Sequence, residues 1–358
     1  FQAEDGIRDF CLSRGLGDVY KRQKLIFEEK FSVAPMMEWT DRHCRYFHRL
    51  LSGSAVLYTE MISADALIFG PRHKLLAFNN EELPCVLQLG GNDPKKLSLA
   101  AKFGQSYGYS KINLNIGCPS NRVQNGSFGA CLMKTPKIVS ECVRAMQDVS
   151  QLPITIKCRI GVDDMDEVKG LDNFIDQVSA EGVELFVIHA RKALLNGLSP
   201  KQNREIPPLD YSRVGALKKR RADLKIIING GIKSIQEGQN LVKQYSLDGF
   251  MIGREAYKNP YILSSVDKIV LNQKEKIKTR YQIAMKMADY IDEFVKNDEG
   301  NVHSVIRHIL GLYNSLPGAK EWRRELSENA RFSKNGDLLR FATDNIEEFI
   351  HRKSLILA

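Results

Sequence analysis

Several short apolar runs of this sequence end on polar side chains that can bind a ligand or move a proton. Gln88 lies in Cys85–Gly90, Asn113 and Asn115 in Lys111–Ile116, Lys157 and Arg159 in Ile154–Ile160, and His189 in Leu185–Ala190. Asn229 closes Lys225–Asn229 and is followed by Gly230 and Gly231, while Gly249–Gly253 runs into Arg254. Glycine lets a backbone approach a phosphate closely, and arginine can chelate its oxygens. Cys118 stands three residues beyond Asn115, in Asn115-Ile116-Gly117-Cys118-Pro119-Ser120. A free thiol ionises near about 8.5, so at neutral pH such a cysteine is chiefly a proton donor. An acid of this kind, facing a reduced cofactor, points to addition of hydride and proton across a carbon–carbon double bond.

Period-two parity says which of these groups meet. Ile112, Leu114 and Ile116 share one face of their run and Asn113 and Asn115 the other; Thr155, Lys157 and Arg159 oppose Ile154, Ile156 and Cys158. An inward lysine and histidine beside a phosphate-binding end suit flavin mononucleotide (FMN), with Gln88 and His189 as hydrogen-bonding groups. The same lysine also fits a Schiff-base aldolase, colourless where a flavoprotein is yellow. No G-x-G-x-x-G fingerprint or Walker A motif is present, which argues against a Rossmann-type nucleotide site.

The elements that must position these groups repeat from Phe31 onward. Strand-like runs at Phe31–Pro35, Val56–Ile62, Cys85–Gly90, Lys111–Ile116, Ile154–Ile160, Leu185–Ala190, Lys225–Asn229 and Gly249–Gly253 alternate with helical stretches. Eight such units predict an α/β chain folded as a (β/α)8 TIM barrel, whose chemistry gathers at the C-terminal ends of its strands. The tail differs. Lys274–Asn297 carries Ile277, Tyr281, Ala284, Ala288, Ile291 and Val295 at helical spacing, and Val302–Leu316 and Asp337–His351 read as further helices. The expected division is an extension over 1–24, a barrel over 25–263 and a small all-helical domain over 264–358.

Composition narrows the setting. The 358 residues are 43% apolar with a net charge of +9, and no apolar run is long enough to span a membrane. Seven scattered cysteines form no C-x-x-C pair, which argues against a disulfide scaffold or a metal site and fits a reducing cytoplasm. The leading segment lacks the apolar core of a signal peptide and reads as an extension foreign to the fold. Basic clusters at Arg191-Lys192, Lys201 to Arg204, Lys218 to Arg221 and Lys320 to Arg324 would suit a polyanion.

Five segments together carry a resemblance: Val33-Ala34-Pro35-Met36-Met37-Glu38-Trp39-Thr40-Asp41, Asn115 to Ser120, Ile156-Lys157-Cys158-Arg159-Ile160-Gly161, His189-Ala190-Arg191 and Asn229-Gly230-Gly231. They resemble the tRNA-dihydrouridine synthases, and the stretch from His189 to Leu209 is similar to the A-type bacterial subfamily that acts on uridines 20 and 20a. The resemblance implies an FMN-containing barrel, NADPH as reductant and tRNA as substrate, with hydride passing from flavin N5 to uracil C6 and a proton from Cys118 to C5. It implies cofactor contacts at Pro35, Met36, Met37, Gln88, Lys157, His189, Asn229, Gly230, Gly231, Gly253 and Arg254. It implies tRNA contacts at Asn115, Lys201, Arg204, Lys320 and Arg323, and points to no obligate protein partner. Two other readings stay open on the residues alone: an FMN barrel reducing a free pyrimidine or an enone, and an RNA-binding protein without flavin.

Overall fold

Runs of β-branched and apolar residues bounded by polar turns become strands when each can bury both faces, one against helices and one inside a barrel. The computed structural model describes residues 29–357 except 121, 122, 125, 274–276, 298 and 299. Its strands are β1 (Phe31–Val33), β2 (Leu57–Ser63), β3 (Cys85–Gly90), β4 (Lys111–Ile116), β5 (Ile154–Arg159), β6 (Leu185–His189), β7 (Lys225–Asn229) and β8 (Gly249–Ile252). All pair in parallel, in the order β1-β8-β7-β6-β5-β4-β3-β2. A bridge between Ser32 and Val56 joins the two ends, with Val33 N donating to Val56 O at 3.0 Å. The expected barrel is therefore present, and the strand limits differ from the sequence reading by no more than two residues at either end.

Crossover helices clothe the barrel: α1 (Arg42–Leu51), α2 (Ala64–Phe69), α3 (Arg72–Leu76), α4 (Pro94–Ser106), α5 (Pro136–Gln147), α6 (Lys169–Ser179), α7 (Tyr211–Arg220) and α8 (Ile235–Tyr245). The outward strand residues Ile112, Leu114, Ile156, Phe186, Ile188, Ile226 and Ile228 pack beneath them in the main hydrophobic core. The interior is layered. At its base Lys111 Nζ meets Glu29 Oε2 at 3.0 Å, and Tyr58 OH donates to Glu29 Oε1 at 2.9 Å. Above this buried pair, Tyr58, Val86, Leu185, Val187, Ile227 and Met251 form a compact apolar cluster. The polar strand ends sit above that cluster.

After β8 come α9 (Arg254–Lys258), α10 (Val266–Ile269), α11 (Arg280–Lys296), α12 (Val302–Ile306), α13 (Ala319–Asn329) and α14 (Asp337–Leu357). Among the described residues, no helix is long and apolar enough to cross a membrane. Two details differ from the sequence reading. In α11 the buried face is Ile283, Ala284, Met287, Ala288, Tyr290, Ile291 and Phe294, whereas Ile277 and Tyr281 are 40% and 41% exposed. Ile277 precedes the helix, and the face is chosen by α1, where Tyr46 stacks on Tyr290 at 4.2 Å. The segment Val302–Leu316 is helical only to Ile306, then continues in i to i+3 turns such as Leu312 N to Ile309 O. Within these turns Gly311 packs closely on the end of α9, where a Cβ would stand 2.6 Å from the Lys258 carbonyl oxygen. The leading extension over 1–24 lies outside the described residues.

Candidate active site

Strand register sets the polar ends side by side. Gln88 aligns with Asn113, Asn113 with Thr155, and Asn115 with Lys157. The result is a row of side-chain amides in which each oxygen and nitrogen has an assigned role. Asn115 Nδ2 donates to Gln88 Oε1 at 2.9 Å, Gln88 Nε2 to Asn113 Oδ1 at 2.8 Å, and Asn113 Nδ2 to Thr155 Oγ1 at 3.0 Å. Lys157 Nζ donates to Asn229 Oδ1 at 3.1 Å, and Asn229 Nδ2 to Met251 O at 2.9 Å. Such closed networks hold each group in one orientation.

Of these, Gln88, Asn115, Lys157, Asn229 and Met251 line a cavity of about 1810 Å³ over the barrel mouth, well beyond the roughly 300–1,000 Å³ of an ordinary small-molecule pocket. Room exists for a cofactor and a second, larger reactant. Pro35, Met36, Met37, Gln88, Asn115, Cys118, Lys157, His189, Arg204, Asn229, Gly230, Gly231, Gly253 and Arg254 all line it. The sequence-predicted residues thus converge, with three exceptions. Lys201 is exposed, as are Lys320 and Arg323 on α13, and none of the three lines the cavity.

Electrostatically the site is basic. Burial brings the Lys157 ammonium down to about 8, helped by the neighbouring Arg159 charge. Burial also pushes His189 well below the usual histidine range, with Arg159 and Lys157 adding to the effect, so its ring is neutral. Arg159 is lowered by burial to about 10 and stays charged at neutral pH. Burial raises the Glu60 carboxyl, which accepts from the Glu38 amide where that residue turns through φ 64°. Arg254 pairs with Glu205 at 2.7 Å, and Arg191 gives its guanidinium to the Pro207 carbonyl.

A buried polar atom without a partner signals a ligand, and here His189 Nε2 has none. Beside it Gly230 and Gly231 adopt φ of 112° and 72°, leaving their backbone bare on the cavity. A Cβ at Gly230 would come within 2.6 Å of the His189 ring. A neutral ring nitrogen, an ammonium and a bare glycine turn on one wall are groups that could hold a polar heterocycle and a phosphate.

Against the described sequence, the family of dihydrouridine synthases matches residues 32–349. The chain belongs to the dihydrouridine synthase family. It is 52% identical to the tRNA-dihydrouridine(20/20a) synthase of Vibrio vulnificus over 308 residues, covering 86% of this chain and 93% of that protein. It is 50% identical over 309 residues to the protein of that name from Shewanella oneidensis, covering 86% and 90% of the two chains. The Escherichia coli K12 protein of that name is 51% identical over 302 residues, covering 84% and 86%.

Within this dihydrouridine synthase, four residues outside the cofactor and RNA contacts that the resemblance implies help to build the site. Arg159, which shares the inward parity of Lys157, bonds the carbonyls of Gly117, Lys192 and Asn203 at 2.9, 3.0 and 3.0 Å. Asn203 is fully buried and ties its loop together through Leu194, accepting from its N–H and donating to its carbonyl, both at 2.8 Å. Asp41 caps α1 at His43 N and Cys44 N, and its other oxygen meets Arg307 Nη2 at 2.6 Å and His308 Nε2 at 2.9 Å. Trp39, on the cavity wall, stacks on Tyr257 at 4.3 Å. Asn203 and Asp41 stand in segments already quoted for the resemblance, but the partners of Asp41 are far away in sequence and gave no local signal.

Proposed function

We propose that this dihydrouridine synthase reduces uridine to 5,6-dihydrouridine in the D-loop of tRNA, at positions 20 and 20a, using FMN recharged by NADPH in the cytoplasm. The observation that carries the reading is one basic cavity holding both an orphaned His189 nitrogen beside Lys157 and a thiol, Cys118, on the adjoining strand-end loop. When bound, the flavin supplies the hydride that adds to uracil C6. Lys157, His189, Gln88 and Pro35 to Met37 would hold its ring, and Asn229 to Gly231 with Gly253 and Arg254 its phosphate. Cys118 gives its proton to C5, and Asn115 contacts the RNA near the base. A uracil in folded tRNA must be extruded to reach this depth, which costs a few kcal/mol of unstacking and calls for phosphate anchors outside. Lys201 and Arg204 on one side, and Lys320 and Arg323 on α13, serve as those anchors. The barrel over 25–263 is then the catalytic unit and 264–358 the RNA-binding unit.

The test is position-resolved mass spectrometry of tRNA from cells lacking the protein, then carrying the wild type or Cys118→Ala. Dihydrouridine at 20 and 20a is expected to vanish on deletion and to return with the wild type. The purified Cys118→Ala protein should remain yellow and bind tRNA but restore no dihydrouridine. Full restoration by that variant would remove the acid role. Turnover of free uridine with indifference to tRNA would instead favour a small-molecule reductase.

A further inference from the structure

Two side chains grip one peptide plane from opposite sides. The Gly117 carbonyl accepts from Arg159 Nε at 2.9 Å, and the Cys118 amide donates to Asn115 Oδ1 at 2.9 Å. Carbonyl and amide belong to a single planar unit, so fixing both orients the plane that leads into the cysteine. Asn115 Oδ1 also takes the Gly117 amide at 3.0 Å. On the far flank the Cys118 carbonyl accepts from Ala130 N at 3.0 Å. Gly129 permits that approach: its φ is 76°, and a Cβ there would lie 2.6 Å from the same carbonyl oxygen. The main chain around Cys118 is therefore set on both sides. Only its χ1 is left to direct the sulfur, which lies 3.5 Å from Ser120 Oγ.

The gripping side chains are themselves committed. Arg159 is 3% exposed, and its described hydrogen bonds all go to backbone carbonyls, one in the loop after β4 and two in the loop after β6, rather than to a carboxylate. Burying a guanidinium without a counter-ion is costly, so its placement calls for a role that neutral packing would not fill. Asn115 spends an amide hydrogen on Gln88, which ties the thiol loop to the row of amides.

We infer that Asn115 and Arg159 are positioning residues that aim the Cys118 thiol into the cavity, and that Asn115 does so through the cysteine's own backbone. This rests on the proposed reduction with Cys118 as acid. Alkylation of Cys118 by iodoacetamide, followed by peptide mass spectrometry on the flavin-loaded protein without RNA, reads the aim of the thiol apart from turnover. Taken at the high-pH plateau, the rate constant in Asn115→Ala and Arg159→Met is expected to change at least about threefold. A displacement of the acid by about 1 Å should also cut kcat about tenfold to a hundredfold, and in Arg159→Met, a residue given no RNA contact, KM for tRNA should stay within about twofold. Asn115→Asp keeps the acceptor for both amides and is expected to return the alkylation rate toward wild type. An unchanged alkylation rate in Asn115→Ala, or a raised KM with kcat intact, overturns the clamp and leaves Asn115 an RNA contact. Should Arg159→Met fail to fold, the Asn115 variants decide alone. If alkylation shifts as stated while the wild type makes no dihydrouridine, the proposed reaction falls and the clamp stands.

Discussion

Lys157 carries a charge where its surroundings oppose one. Burial lowers it to about 8, while an unfolded lysine titrates near about 10.4. Between those values the unfolded chain holds more protons than the folded one, so stability rises with pH across the window. Below pH 8 the whole cost of burying the ammonium is present. Replacing it by methionine removes that cost but strips Asn229 Oδ1 of its donor. Flavin-free Lys157→Met should therefore be more stable than the wild type by about 1–2 kcal/mol at pH 7 in urea unfolding, with the gain shrinking above pH 8. Equal midpoints at pH 7 would refute the charge penalty. The same variant should retain flavin poorly, because the charge that strains the fold is the one an electron-rich ring needs. Parity made this residue legible in the sequence: alternation in β5 sends Lys157 inward whatever the neighbours are.

Between elements, Asp41 does the most with one carboxylate, capping α1 with one oxygen and receiving Arg307 and His308 on the other. Although burial alone would raise it, His308 and the Cys44 amide hold it well below the usual carboxylate range. A carboxylate depressed in this way stabilises the fold above its unfolded value and loses that contribution as pH falls toward the folded one. Asp41→Ala should cost about 2–4 kcal/mol, combining a lost cap with lost charge-assisted bonds, and its effect should fade in acid. A urea midpoint within error of wild type at pH 7 would contradict this. Asp41 sits in a motif visible in the sequence, yet its partners lie 266 and 267 residues away, a closure that no local pattern encodes. The α11 face is legible in part: Ala284, Ala288 and Ile291 are buried as their spacing indicates, while Tyr281 is exposed and the stacking of Tyr46 on Tyr290 is a contact between distant segments. By contrast, β3, β4 and β7 needed no long-range information, because alternation and turn residues bound them on both sides.

At the scale of the molecule, the +9 charge is spread over several clusters, and the proposal assigns RNA contact to two of them. Arg204 lines the cavity, but Lys201, Lys320 and Arg323 project from exposed surface outside it. If each neutralises one phosphate, replacing either pair by alanine should flatten the log–log salt dependence of tRNA binding by about 1.5 to 2, read by fluorescence anisotropy. An unaltered slope would make that pair an ordinary solvated face. Sequence showed the clusters but not their distance from the mouth, which depends on how α13 packs.

The layered interior has a further effect. The Glu29–Lys111 pair and the apolar cluster around Tyr58 and Met251 fill the lower barrel, so the described cavity opens at the upper end alone. On the proposed reaction, electron donor and nucleic acid share a single doorway. They would have to queue for the same opening, one leaving before the other enters, and the protein would spend part of each cycle holding reducing equivalents between visitors.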